Sequence, residues 1–374
     1  MKEIVNILVE NGYEAYIVGG YVRDYLLGLK SYDIDICTNA SIDKICELFK
    51  GKGVAYKEYF AFHIDRDGYS YDITTYRKEG KYKKNKPIEI EKAKTLEEDL
   101  IRRDFTINTF AMDKNGLLVD KLGAKRDLDS RIIRTVGDAN KKLSEDKTRI
   151  IRALRFACTL DFELDEDIID FLSKKKAYML NEVPNEYIRK ELDKIFDSPN
   201  YSKFFYLIKK YNIEKYFNLK FDNIIDSYNK YGIWSQIETD LPFSKKEKRI
   251  ICSIKDIVNS KNITVNDVKN YEDVVLYNAA IMLHQESRLK AIKEVLNVHS
   301  IVDIDIDLDT LLIYSKADDL MKCYKYIERN IIEGNIENNN ESIVVFLRKT
   351  GRRSYEWFKK WICYKRFYSK QEYC

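Results

Sequence analysis

Along the first third of the chain, short runs of alternating apolar and polar residues are interleaved with stretches whose apolar positions recur every three to four residues. These are the periodicities of strand and helix. The pattern predicts a helix over residues 2–12, a strand over Glu14–Val18, a second helix over Tyr21–Leu27 and a strand over Tyr32–Cys37. Ser41 is placed to cap a helix that runs through Phe49. Ala61–Asp65 and Tyr69–Tyr76 read as two more strands, with Asp65 and Asp67 flanking Gly68 in a turn. Lys78–Lys94 is charged and poor in apolar residues, so it reads as a mobile loop. Past Ser144, apolar residues such as Ile150, Ile151, Leu154, Phe156 and Ala157 keep helical spacing, no strand is predicted, and no proline follows Pro242. The expected class is α+β: a mixed β-sheet domain to about residue 138, then helical segments over 139–200, 201–280 and 281–374.

A length of 374 residues, 45% of them hydrophobic and 13% aromatic, excludes a disordered chain and accommodates two to four domains. The net charge of +4 says little, but its distribution says more. From Ile343 onward nine basic residues, Arg352, Arg353, Lys359 and Lys360 among them, face only Glu356 and Glu372. Tyr355, Trp357, Phe358, Trp361, Tyr364, Phe367 and Tyr368 are interleaved with them, a mixture suited to RNA backbone and exposed bases. An amphipathic helix docked on the preceding domain explains the same pattern. Seven cysteines without a Cys-x-x-Cys pair fit a reduced, cytoplasmic protein without a structural zinc site. No stretch has the length and apolarity of a membrane span, and no signal peptide is read.

The chemistry concentrates near the N-terminus. Gly19-Gly20 lies between a predicted strand and helix, where backbone can approach a phosphate, and Arg23 adds a fork for its oxygens. In Asp33-Ile34-Asp35-Ile36 both carboxylates project from one face of a strand. Such crowding is relieved by a cation, and Mg²⁺ shared with substrate phosphates is the usual one. Asp72 joins the pair if its strand is their neighbour. Arg102-Arg103-Asp104 and Asn108 offer contacts for a triphosphate and sugar, although a charged helix start explains them equally. Asp146 and Arg149, followed by Arg152 and Arg155, open the first long helix. They read either as an ion pair or as a reader that accepts from an exocyclic amine and donates to the adjacent ring nitrogen. Cytosine and adenine share that edge; guanine and uracil present the reverse.

Taken in order, Val18-Gly19-Gly20-Tyr21-Val22-Arg23-Asp24, Asp33-x-Asp35, Arg102-Arg103-Asp104-Phe105-Thr106-Ile107-Asn108, Ile133-Arg134-Thr135-Val136-Gly137 and Glu145-Asp146-x-x-Arg149-x-x-Arg152-Ala153-x-Arg155-Phe156 resemble the class II CCA-adding tRNA nucleotidyltransferases. The bacterial poly(A) polymerases share these motifs. The resemblance implies a nucleotidyltransferase-type head followed by an all-helical neck, body and tail. It also implies addition of CMP, CMP and AMP to the 3′ end of tRNA from CTP and ATP, with no membrane or protein partner expected. Position by position, it implies that Asp33 and Asp35 hold metal, with Asp72 a third catalytic carboxylate. Gly19, Gly20 and Arg23 then contact triphosphate, and Arg103, Asp104 and Asn108 sugar and phosphate. Asp146 and Arg149 read the base, while Arg152 and Arg155 make further nucleotide contacts. One departure is Tyr187, which stands where the family usually has arginine. CC-only addition, poly(A) synthesis and an inactive RNA-binding homologue are the competing expectations.

Overall fold

A computed structural model describes residues 2–174, 176–296 and 304–350, and these fall into two compact units. The first comprises residues up to Leu219 together with Thr239–Pro242; the second comprises Lys220–Glu238 and the chain from Phe243. Arg352, Arg353, Lys359 and Lys360, expected at an RNA interface, lie outside the described residues.

The first unit opens with α1 (Lys2–Glu10), β1 (Ala15–Val18), α2 (Gly20–Leu26), β2 (Asp33–Thr38) and α3 (Ile42–Leu48). The Ser41 hydroxyl accepts from the Lys44 N–H, as expected of a cap. β3 (Val54–Tyr56), β4 (Ala61–Arg66) and β5 (Tyr69–Thr75) follow, and Asp67 and Gly68, both at positive φ, form the β4–β5 turn. With β10 (Ala111–Met112) and β11 (Leu118–Val119), these strands make one mixed sheet in the order β11-β10-β1-β2-β5-β4-β3. β2 and β5 run parallel, while the other neighbours are antiparallel.

Register sorts the two faces. Ile17, Ile36, Ile73 and Phe62 share one face, with α1 and α3 packed against the sheet. On the other face Val18 and Cys37 form a core with Tyr76, Ala111 and with Leu96 and Leu100 of α4 (Leu96–Ile101). α4 therefore roofs one end of that face and leaves the end bearing Asp33 and Asp35 open.

Lys78–Lys94 is not the loop its composition predicts. β6 (Arg77–Glu79) pairs with β9 (Ile90–Lys92), and β7 (Tyr82–Lys83) pairs with β8 (Lys86–Pro87) around Lys84-Asn85, both at positive φ. Its apolar poverty misleads because the hairpin is held by ladder bonds and polar contacts rather than by a core of its own.

Helices dominate thereafter: α5 (Ala124–Asp129), α6 (Ala139–Glu145), α7 (Thr148–Thr159), α8 (Glu166–Ser173), α9 (Asn185–Phe196) and α10 (Tyr201–Lys210). A strand absent from the expectation, β13 (Glu163–Leu164), pairs in parallel with β12 (Ile132–Ile133). Leu219–Lys220 and Glu238–Thr239 are strands of equal brevity. Two residues are too few for alternation to register.

The second unit contains α11 (Lys230–Trp234), α12 (Lys245–Ser260), α13 (Val265–Asn270), α14 (Asp273–Leu283), α15 (Glu286–Leu296), α16 (Leu308–Tyr314), α17 (Leu320–Ile332) and α18 (Asn340–Thr350). One core built on Ile254, Leu276, Ile292, Leu311 and Ile327 joins them. No helix among the described residues is long and apolar enough to cross a membrane.

Leu100 is fully buried two residues before Arg102, so it seats the arginine segment on the sheet. Leu100→Ala is expected to cost about 2–5 kcal/mol in denaturant unfolding.

Candidate active site

The sheet brings the acidic residues together by register. Asp35 stands opposite Asp72 on β5, and Asp72 opposite His63 on β4, so all three share the face that also carries Asp33. Asp33 and Asp35 remain accessible to solvent. Protein nevertheless crowds the Asp35 carboxyl, and burial raises its pKa; Arg103 opposes the rise, while Asp72 and Asp33 add to it. His63 donates through Nδ1 to Asp72 Oδ1 at 2.8 Å, and its Nε2 lies 3.3 Å from Asp65 Oδ2. The Asp72 bond is the main influence raising the imidazole pKa. Among the described residues no three acidic, histidine or cysteine side chains close a metal cage by themselves. A divalent ion fits this site as two carboxylates completed by phosphate oxygens, the usual arrangement for Mg²⁺.

Gly19 makes the close approach possible. Its φ of 77° and ψ of −141° lie in a region that side chains avoid. A Cβ there would come within 2.9 Å of both Asp35 Oδ2 and Arg103 Nη1. The two arginines of the pair divide their work. Arg102 is spent on Asp99 at 3.0 Å and Glu79 at 3.1 Å. Arg103 faces the Gly19 turn; among the described residues its Nε is buried without a partner, and its one ionic contact is the distant Asp99 at 3.6 Å.

Behind this lies a polar chain. Arg23 donates to Asn108 Oδ1 at 2.6 Å, and Asn108 Nδ2 donates to Asp104 Oδ1 at 2.9 Å. Arg152 grips Asp104 Oδ2 through Nε, at 2.8 Å, and Nη2. Burial would raise the Asp104 pKa, but Arg152, Asn108 and the Phe105 N–H outweigh it and hold the carboxyl far below its ordinary range. Arg155 is committed to Glu191 on α9. The guanidinium groups of Arg23, Arg152 and Arg155 surround the Phe156 ring at 4.8, 5.4 and 3.8 Å.

Asp146 is not inside the long helix, as expected, but in the break between α6 and α7, with φ −129° and ψ 100°. Its Oδ2 lies 3.8 Å from Arg149 Nε. Arg149 is buried, donating through Nη1 to the Lys142 carbonyl at 2.9 Å and through Nη2 to the Tyr82 hydroxyl at 3.0 Å. Each of these nitrogens has a second N–H, so the guanidinium still has donors to offer. Lys142 in turn donates to the carbonyls of Ile101 and Arg103 at 2.8 and 3.1 Å. Burial, reinforced by Arg149, lowers its pKa to about 8.

The expected residues Gly19, Gly20, Arg23, Asp33, Asp35, Asp72, Arg103, Asp104, Asn108, Asp146, Arg149, Arg152 and Arg155 thus all belong to the first unit. Sequence reasoning missed Tyr82, Lys142 and the bridging role of Phe156. The only signal for the first was Asn85 in a basic run, a turn former at the tip of a hairpin.

The comparisons set the class first. A model described as the Poly A polymerase head domain matches residues 15–134, the segment from β1 through β12. The CCA-adding enzyme of Streptococcus mutans is 30% identical over 383 residues, covering 90% of this chain and 94% of that enzyme. The chain belongs to the family of CCA-adding enzymes. The enzyme of Bacillus pumilus is 42% identical over 179 residues, an alignment that spans 48% of this chain and 45% of the relative, about half of its length. The crystal structure of the Bacillus stearothermophilus CCA-adding enzyme in complex with CTP has a TM-score of 0.62 at 22% identity, covering 95% of this chain and 98% of that one, a likeness of fold.

Gly19→Ala is expected to leave the thermal transition cooperative and to lower kcat/KM for nucleotide about a hundredfold, because Asp35 and Arg103 must part. A pH effect follows from Lys142, whose ordinary value is 10.5. The unfolded chain binds the Lys142 proton more tightly than the folded one. Stability relative to Lys142→Met is therefore expected to rise between about pH 8 and pH 10.5, as measured by denaturant midpoints.

Proposed function

We propose that this protein adds CMP, CMP and AMP in turn to the 3′ end of tRNA, taking CTP and ATP and releasing pyrophosphate. The observation that carries this reading is the close approach of both Asp35 and Arg103 to the Gly19 turn, in a member of the CCA-adding family. Nucleotidyltransferases of this kind generally use divalent metal ions. Here Asp33 and Asp35 hold Mg²⁺, which when bound neutralises phosphate charge and activates the attacking hydroxyl.

The chain's own groups do the positioning. Arg103, with an unpaired buried Nε, receives the triphosphate beside the Gly19-Gly20 backbone, and Arg23 stands behind it. Asp104 and Asn108, held by Arg152 and Arg23, orient the sugar. Asp72, opposite Asp35, adds negative charge at the reacting end and is steadied by His63. Asp146 accepts from the exocyclic amine of cytosine or adenine, and Arg149 donates to the neighbouring ring nitrogen. Uracil and guanine leave both groups facing their own kind, which costs binding. The basic, aromatic C-terminal segment supports tRNA binding through Arg352, Arg353, Lys359 and Lys360. We assign head, neck, body and tail to residues 1–138, 139–200, 201–280 and 281–374, in the cytoplasm.

The test is to incubate the protein with Mg²⁺, CTP and ATP, together and singly, and tRNA lacking its terminal CCA, then sequence the 3′ ends. CCA is expected; CC alone or long runs of A would replace this reading by a CC-adding enzyme or a poly(A) polymerase. Asp146→Ala and Arg149→Ala are each expected to raise UMP and GMP incorporation relative to CMP by about tenfold or more. Unchanged selectivity in both would remove them from base reading.

A further inference from the structure

Asp146 is held by a device that helix formation alone does not require. Its Oδ1 accepts the Thr148 backbone N–H at 3.0 Å, which satisfies one of the free donors at the start of α7. That bond suffices for a cap. Yet the Thr148 hydroxyl donates to the same Oδ1 at 2.6 Å, leaving Oδ2 on the side of Arg149 Nε. A carboxylate has two oxygens and accepts at both; here one is saturated by a neighbour two residues along, and the other is left for a ligand.

A carboxylate cannot donate, so the single hydroxyl proton of Thr148 is spent on Asp146, and both Thr148 donors, hydroxyl and backbone N–H, converge on Oδ1.

We propose that Thr148 is a specificity-determining positioning residue that fixes the orientation of the Asp146 carboxylate so that Oδ2 alone meets the incoming base. This rests on Asp146 being a base reader. Thr148 does not touch the nucleotide; it acts through Asp146. With the hydroxyl gone, the carboxylate rotates between orientations, and its preference for a base that donates an amine weakens. The turnover of a correctly bound nucleotide is untouched, because no group that contacts the reacting phosphate has moved.

The experiment measures kcat and KM for CTP and for UTP on tRNA lacking its CCA, with the full-length protein. Thr148→Val keeps the shape of the side chain and removes the hydroxyl. It is expected to lower the CTP-over-UTP preference in kcat/KM about fivefold to tenfold, the effect of one hydrogen bond, with kcat for CTP preserved. Thr148→Ser restores the preference. Thr148→Ala removes the same hydroxyl with less bulk and serves if Thr148→Val is poorly folded. Unchanged selectivity in Thr148→Val and Thr148→Ala, alongside relaxed selectivity in Asp146→Ala, overturns the support while leaving the base reader intact. Unchanged selectivity in Asp146→Ala as well overturns both.

Discussion

A single buried carboxylate holds the first unit's two kinds of structure together. Asp104 follows the arginine pair after α4, and its two oxygens take donors from the Phe105 backbone, Asn108 and Arg152. Arg152 comes from α7, so the sheet domain and the first long helix meet at this ion pair. Stripping one partner from such a pair leaves a charge in a poorly hydrated place, at a cost of several kcal/mol. The pair's value lies less in net stability than in fixing how the helix stands over the sheet. Through Asn108 the same carboxylate also sets Arg23, and Arg23 returns to the helix that follows the Gly19-Gly20 turn.

The candidate site is organised around opposed charges that cannot neutralise one another completely. Asp33, Asp35 and Asp72 crowd one sheet face, and Arg103 offers only partial relief. Nearby, three guanidinium groups gather at Phe156 although each also has a carboxylate, Arg23 with Asp24, Arg152 with Asp104 and Arg155 with Glu191. Crowded carboxylates beside clustered guanidinium groups suit a ligand that brings phosphates and cations together. The glycine turn is the point at which the two come closest.

The hairpin over Arg77–Lys92 shows how polar contacts alone can order a charged segment. Glu79 at its root takes Arg77, Arg102 and the Tyr82 hydroxyl. Tyr82 in turn meets Arg149, and Asn85 at the tip bonds to the Glu182 carbonyl and the Lys147 N–H. Arg149 is thus braced from the hairpin and from α6. Composition carries no trace of this, because most of these contacts join residues far apart in the chain.

Much of the head was legible in the sequence because its elements obey local rules. Alternation placed β1, β2, β4 and β5 within a residue or so of their bounds, and it put Asp33 and Asp35 on one face before any partner strand was known. Helical spacing likewise identified α7 and the long helical half. The dense series of motifs pointed to the family and to the residues worth inspecting. What the sequence left undecided was pairing. That Asp72 faces Asp35, that Arg102 turns away while Arg103 turns inward, and that Asp146 leaves the helix for its entrance are decided by strand register, by a carboxylate at Asp99 and by a bond to Thr148. Periodicity reports which side of an element a residue occupies, but the neighbour on that side is chosen only when the chain closes on itself.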